Sequence, residues 1–187
     1  MHRFDWKVLE SRHVIRNRCL SLRADRCEMP NGPILPACYV FEYSPWVNVV
    51  ALTEDENVVL VRQYRHGLRR TLLELPGGVV EPTDASPVAA IKRQLREEAG
   101  YTGSTFVETG VVSPNPSNNN NLVHCFLTTD VELAGSPCPD DTEQIEVIVM
   151  PLIEVIERLV NGDFIQSLHV SSLFLAFHNL GKIHLTS

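Results

Sequence analysis

The chain has 187 residues, of which 44% are hydrophobic and 21% charged, and its formal net charge is −7. This length suits one domain with a sizeable core, or a domain with an extension, and the composition is typical of globular proteins. The acidic balance argues against nucleic-acid binding, which needs a basic face for phosphates. No apolar run approaches the ~18 residues of a membrane-spanning helix, and the N-terminal residues lack the apolar core of a secretory signal. Five cysteines without a CxxC pair indicate free thiols in a reducing cytoplasm.

Residues 1–45 predict an N-terminal region of antiparallel β-strands. The extended segments fall at about 5–10, 18–28 and 34–43, with a turn signal at residues 30–32 (Pro-Asn-Gly). A second domain over 46–187 is predicted to interleave strands and helices. Its strands are expected near 47–53, 58–64, 72–75, 105–112, 122–129 and 143–150, and its helices at 87–99, 152–160 and 168–180. This order predicts an α/β or α+β domain with a mixed sheet.

The clearest helix is predicted from Pro87 to Ala99. Ser86 can cap its N-terminus, Pro87 suits the first helical position, and Gly100 suits the position after the last turn. At about 100° per residue, four apolar side chains share one arc that should pack on the sheet. These are Val88, Ile91, Leu95 and Ala99.

Gln94, Glu97 and Glu98 share the neighbouring arc of this helix, and Glu98 lies beside the apolar stripe. Two close carboxylates at such a margin repel each other unless a positive charge lies between them. A hard cation with oxygen ligands satisfies this requirement, and Mg²⁺ is the usual one. The alternative interpretation is a solvated acidic face near the end of a helix.

The stretch from Gly77 to Tyr101 resembles the Nudix box, written Gly-x5-Glu-x7-Arg-Glu-U-x-Glu-Glu-x-Gly-U, where U is apolar. The positions that fit are Gly78, Arg93, Leu95, Glu97, Glu98, Gly100 and Tyr101. Three features depart from the pattern. The loop from Gly78 to Arg93 is one residue longer, Asp84 replaces the first glutamate, and Gln94 replaces the glutamate after the arginine.

The resemblance implies a Nudix fold, with a mixed sheet between helices, and hydrolysis of a nucleoside diphosphate linked to another group. It implies that Glu97, Glu98 and the Gly77 carbonyl hold Mg²⁺, with Mn²⁺ as the alternative ion. Gln94 would offer a neutral oxygen at a position where the family has a charged ligand, so we expect weaker metal binding there. Arg93 would brace the loop through carboxylates.

The segments 59–65 and 73–78 (Val-Leu-Val-Arg-Gln-Tyr-Arg and Leu-Glu-Leu-Pro-Gly-Gly) resemble the ADP-ribose and nucleotide-sugar pyrophosphatase branch. That branch implies that Arg65 meets the substrate's phosphates; a solvated Arg65 is the alternative. Its N-terminal strands often mediate dimerisation, so residues 1–45 can form a homodimer element. Trp46 can stack on a nucleobase, or belong to the core or to a dimer interface.

A general base outside the box would come from the acidic segment 140–146, with Glu143 as the first candidate and Glu146 as the second. A solvated acidic loop is the alternative for both.

The leading hypothesis is a Mg²⁺-dependent pyrophosphatase acting on an ADP-ribose-like nucleotide sugar, a small-molecule substrate. A second is a catalytically weakened Nudix domain that binds a nucleotide or a protein partner. A third is an enzyme for a dinucleoside polyphosphate or a coenzyme.

Overall fold

The computed structural model describes residues 3–138 and 144–183, which fall into two compact units. The first unit comprises Met1–Ser44 and Ser113–Asn121, and the second comprises Pro45–Val112 and Leu122–Ser187. The loop at 113–121 was expected in the second domain. It groups with the first unit because its backbone bonds to Phe41, whose N–H donates to the Asn118 carbonyl at 2.7 Å.

The first unit contains a three-stranded antiparallel sheet in the order β1-β2-β3. Its strands are β1 (Lys7–Arg16), β2 (Ser21–Glu28) and β3 (Ile34–Phe41). The turn between β2 and β3 contains Gly32 at a φ of 103°, a left-handed conformation that favours glycine. The predicted N-terminal antiparallel strand region is confirmed.

The second unit contains an eight-stranded mixed sheet. Its strands are β4 (Trp46–Thr53), β5 (Asn57–Arg65), β6 (Arg70–Glu74), β7 (Gly77–Val79), β8 (Tyr101–Thr102), β9 (Val107–Val112), β10 (Val123–Leu133) and β11 (Ile145–Pro151). The main path runs β11-β5-β4-β10-β8, while β6 pairs with β5, β7 with β4 and β9 with β10. β4 and β10 run parallel, and the remaining pairs are antiparallel. The short strands β7 and β8 were not predicted.

Helices cover both faces of this sheet. They are α1 (Pro87–Ala99), α2 (Leu152–Asn161) and α3 (Ser167–Asn179). Successive strand residues point to opposite faces, so Val49 and Val59 pack with α1, whereas Val50 and Leu60 pack with α2 and α3. The predicted Nudix-like α/β/α sandwich is confirmed. None of the helices in the described residues has the length and apolarity that crossing a bilayer requires.

α1 begins and ends where the sequence predicts. The Ser86 hydroxyl accepts from the Ala89 N–H at 3.2 Å, and Gly100 follows the helix at a φ of 76°. Its buried arc differs from the prediction, since Val88 is 36% exposed and Ala90 is buried instead. The arc is rotated because the turn containing β7 covers the side of α1 that carries Gln94.

Candidate active site

Residues 75–79 (Leu-Pro-Gly-Gly-Val), the glycine loop, connect β6 to the segment before α1 and are fixed through their backbone. A Cβ on Gly77 would lie 2.3 Å from the Val47 carbonyl oxygen and 2.8 Å from the Asn48 Cα, so only glycine fits against β4. The Gly77 N–H donates to Oε2 of Glu98 at 2.9 Å. Gly77 is therefore held between a strand and α1.

The start of the glycine loop is held by α3 and β4. The Leu75 N–H donates to Nδ1 of His169 at 3.1 Å, and the Pro76 carbonyl accepts from the Val49 N–H at 3.1 Å. His169 is 6% exposed, and burial, together with the positive charge of Arg65, lowers its pKa to about 3. The imidazole is therefore neutral at physiological pH, with Nδ1 as an acceptor.

Three oxygen-bearing side chains of α1 lie beside the glycine loop. Glu98 is 4% exposed, whereas the Glu97 side chain is 44% exposed. A Cβ on Gly78 would lie 2.7 Å from both Cδ and Oε1 of Gln94, so the amide rests against this glycine. The end of α1 thus presents three oxygen donors: the buried carboxylate of Glu98, the half-buried amide of Gln94 and the more exposed carboxylate of Glu97.

Arg93 links α1 to the loop that precedes it. Its guanidinium donates to both carboxylate oxygens of Asp84, at 3.0 and 2.8 Å, to Glu97 at 3.0 Å and to the Val79 carbonyl at 3.2 Å. The Glu81 carboxylate lies 3.5 Å away. These hydrogen bonds lower the pKa of Asp84 and raise the pKa of Arg93, each chiefly through the other. The shorter acid at position 84 can therefore still bind the arginine in a bidentate manner.

Arg65 forms a bidentate ion pair with a fully buried carboxylate. Its Nε donates to Glu74 at 3.1 and 2.9 Å and its Nη2 at 2.6 Å, while Gln63 donates to the same carboxylate at 3.2 Å. The Glu74 side chain is 0% exposed, whereas that of Arg65 is 43% exposed. Side-chain alternation along β5 from Val59 puts Arg65 on the face of the sheet that α1 covers. Part of the guanidinium thus faces outward while the carboxylate fixes its orientation.

The remaining candidates are Trp46, Glu143 and Glu146. Trp46 is half-buried at the start of β4 and lies opposite Val79 of the glycine loop, whereas Glu143 lies outside the described residues. Glu146 pairs with Arg62 at 2.8 Å. Its neighbour Val147 packs on the α1 side, so alternation directs Glu146 to the opposite face, away from Glu97 and Glu98.

Gly100, at the C-terminal end of α1, packs against the segment that follows β10. A Cβ on Gly100 would lie 2.3 Å from the Gly135 carbonyl oxygen, so the segment after β10 packs directly on the end of α1. A cavity of about 310 Å³ lies there, with Arg93, Arg96 and Glu97 among its lining residues. Space for a ligand therefore adjoins the exposed carboxylate of α1.

Sequence reasoning missed Glu74 and His169. A glutamate within the apolar run Leu72–Leu75 is a usable signal, because a carboxylate buried in a strand needs a cationic partner. Nothing comparable marks His169, whose backbone partner Leu75 is 94 residues away.

The donor set fits a hard divalent cation. Glu97, Glu98 and Gln94 offer side-chain oxygens, and Gly77 offers a backbone carbonyl on the adjoining loop. Among residues 3–138 and 144–183, no group of three or more His, Cys, Asp or Glu side chains is arranged to hold a metal. Mg²⁺ does not need such a cage, since one or two carboxylates, substrate phosphates and water commonly complete its shell.

Comparisons with known proteins identify the family of the chain. Residues 43–168 match the NUDIX domain family, and residues 6–36 match the nucleoside diphosphate sugar hydrolase N-terminal domain. The ADP-ribose pyrophosphatase of Mycobacterium tuberculosis is 28% identical over 95% of this chain and 86% of its own length. The ADP-ribose pyrophosphatase of Bacillus subtilis is 25% identical over 84% of both chains.

A crystal structure of an ADP compounds hydrolase superposes with a TM-score of 0.82 at 22% identity. The match covers 95% of this chain and 97% of that chain, and it supports the fold alone. The family match spans most of the chain and includes the glycine loop, α1 and the strands that carry them. The chain belongs to the Nudix family and is a Nudix hydrolase, in the branch of ADP-ribose and nucleotide-sugar pyrophosphatases that its motifs predicted.

Proposed function

We propose that this chain hydrolyses the pyrophosphate bond of a nucleoside diphosphate sugar, ADP-ribose or a close analogue, to a nucleoside monophosphate and a sugar phosphate. The observation that carries the proposal is the oxygen-donor group at the end of α1, fixed against the glycine loop by the Gly77 N–H and by Arg93. The named activity of the Mycobacterium tuberculosis and Bacillus subtilis relatives supports this choice of substrate.

In this mechanism Glu97, Glu98, the Gln94 amide and the Gly77 carbonyl would hold Mg²⁺, with Mn²⁺ as the alternative. Such an ion neutralises phosphate oxygens and lowers the pKa of a bound water. In the hydrolysis, the oxygen of water joins one phosphorus, and the bridging oxygen leaves on the other phosphate.

The chain's own residues orient the substrate and receive a proton. The outward part of the Arg65 guanidinium binds a phosphate oxygen, while Glu74 prevents it from rotating away. Glu143 is our first candidate for the general base that receives the proton of water. Glu146 is the weaker candidate, because its ion pair with Arg62 lies on the opposite face of the sheet.

The test is a coupled phosphate-release assay on a panel of nucleotide sugars at millimolar Mg²⁺ or Mn²⁺. We expect turnover by the wild type, with ADP-ribose among the best substrates, and its loss in Glu98→Gln. Glu157→Gln, on the exposed face of α2, is the matched control that should retain activity. Equal turnover by Glu98→Gln and the wild type would contradict the proposed role of this carboxylate.

A second candidate function rests on Gln94. If the missing charge abolishes catalysis, the domain acts as a sensor or scaffold that binds the nucleotide sugar without hydrolysing it. This outcome is recognised by a thermal shift with ADP-ribose in the absence of phosphate release from any substrate.

We also propose that the N-terminal region over residues 1–45 mediates a homodimer. This region exposes several large apolar side chains, of the kind that interaction surfaces carry. Examples are Trp6 at 46%, Val8 at 54% and Ile34 at 47% exposure. Light scattering after gel filtration should give twice the 21.0 kDa chain mass; a monomer at micromolar concentration would contradict the proposal.

The five free cysteines support the reducing cytoplasm as the site of action.

A further inference from the structure

Two cysteines lie close together on paired strands of the first unit. In the β2–β3 register Cys38 lies opposite Asp25, and Cys27 lies opposite Leu35. Between these two pairs, β3 contains one more residue than β2. This extra residue forms a β-bulge in the segment of β3 that contains Pro36. Since Asp25 and Cys27 are two apart on one strand, Cys27 shares the sheet face of the residue opposite Asp25, which is Cys38.

The two thiols interact across the strands. Burial raises the pKa of the Cys27 thiol, and its hydrogen-bonding contact with Cys38 raises it further. Cys27 is 5% exposed, whereas Cys38 is half-buried. Undistorted diagonal neighbours on paired strands lie ~7–8 Å apart between Cα atoms, whereas a disulfide spans about 4.4–6.8 Å, so closing the bond requires a small movement of the strands at the bulge. The turn between β2 and β3 already keeps the two strands in register.

We propose that Cys27 and Cys38 are a redox-active thiol pair that a peroxide converts into a disulfide bond between β2 and β3. The half-buried Cys38 thiolate attacks the peroxide, breaks its O–O bond and becomes a sulfenic acid, with release of water. The Cys27 sulfur then attacks the Cys38 sulfur, the S–S bond forms, and the hydroxyl leaves with a proton as a second water. Two thiols lose two electrons and two protons, and one hydrogen peroxide becomes two waters.

The burial difference sets the order of these steps. Among the cysteines in the described part of the chain, only Cys38 combines partial exposure to the oxidant with a thiol neighbour across the strand pair. Cys19 is an exposed cysteine in the loop between β1 and β2, where its backbone bonds to the Asn17 side chain. It therefore serves as the control for oxidation that depends on exposure alone.

The experiment treats the full reduced chain with hydrogen peroxide, alkylates the remaining thiols, and digests it with a protease that cleaves after glutamate. Glu28 lies between the two cysteines, so a disulfide is detected as two peptides that remain joined until a reductant is added. We expect this joined product in the wild type and in Cys19→Ser, and none in Cys38→Ser. In Cys27→Ser, dimedone should label Cys38 as a sulfenic acid.

Two results would overturn the proposal. One is preferential oxidation of Cys19 or Cys138 with Cys27 and Cys38 still fully alkylated. The other is formation of the joined peptides only in urea, because the native strand pairing would then not bring the thiols together. Circular dichroism of each serine variant before oxidation establishes that the variants compared are folded.

Discussion

The ion pair between Arg65 and Glu74 predicts an asymmetric response to substitution. Glu74 is fully buried, and Arg65 is nearly half exposed. Arg65→Gln leaves a buried carboxylate without its cationic partner and with only the weaker hydrogen bond from Gln63, which should cost about 3–5 kcal/mol of unfolding free energy. Glu74→Gln instead leaves a guanidinium that water can reach, and it keeps a neutral acceptor of the same shape. Its cost should be about 1–2 kcal/mol, the difference between a charged and a neutral hydrogen bond.

Urea unfolding followed by circular dichroism measures both free energies on the same scale. For a chain of this size, the larger loss also corresponds to a fall in Tm of roughly 6–20 °C. The slope of the free energy against urea should be unchanged, since both variants expose similar surface on unfolding. The double variant Arg65→Gln/Glu74→Gln should be more stable than Arg65→Gln alone, because the second change removes the unpaired charge.

The result that would refute this reasoning is equal destabilisation by the two single variants, or a larger loss in Glu74→Gln. Either would mean that the burial of the carboxylate does not determine the energy of the pair. Activity is not used as the measure, because Arg65 also belongs to the proposed substrate site.

Three further predictions concern the glycine loop, α3 and α1. Gly77→Ala should lower the free energy of unfolding in urea by about 3 kcal/mol, because the new Cβ would clash with backbone atoms. Gly78→Ala should lower it by about 1 kcal/mol, because the new Cβ would meet the flexible side-chain amide of Gln94. Equal losses in the two variants would contradict this reasoning. His169 has a pKa of about 3 in the folded chain and 6.5 in the unfolded chain. Below pH 6.5 the unfolded chain therefore binds one more proton than the folded chain. The free energy of unfolding should fall by about 1.4 kcal/mol per pH unit in this range. His169→Asn should weaken this dependence between pH 6.5 and 5, and unchanged pH dependence would contradict it. Gln94→Glu should tighten Mn²⁺ binding about tenfold, measured by electron paramagnetic resonance without substrate; unaltered affinity would exclude this amide from the metal site.

Local signals fixed the helix that carries the candidate site. Ser86, Pro87 and Gly100 mark the ends of α1, because capping depends on residues within one turn of the helix end. The buried arc could not be derived in the same way. It depends on the covering turn at Gly77–Val79, a three-residue strand whose two glycines carry no signal of periodicity and which forms through pairing with β4.

In the candidate site, too, the residues that are close in sequence could be predicted, and those from distant segments could not. The box motif identifies Glu97, Glu98 and the adjacent glycines as a group, because its members are close in sequence. The support of that group comes from distant segments, so spacing does not reveal it. His169 reaches the Leu75 N–H from α3, and no pattern in either segment indicates that they meet.

The charges around α1 suggest why a glutamine is tolerated at position 94. Glu97 is already paired with Arg93, and Glu98 accepts the Gly77 N–H. A third carboxylate at position 94, resting on Gly78, would add like charge to a half-buried group, and it would cost stability whenever the metal is absent. The neutral amide removes that cost and retains an oxygen donor, at the expense of one ligand charge. With the proposed metal site, the chain would therefore combine a more stable metal-free site with weaker metal binding, and substrate phosphates would contribute a larger share of the charge that holds the ion.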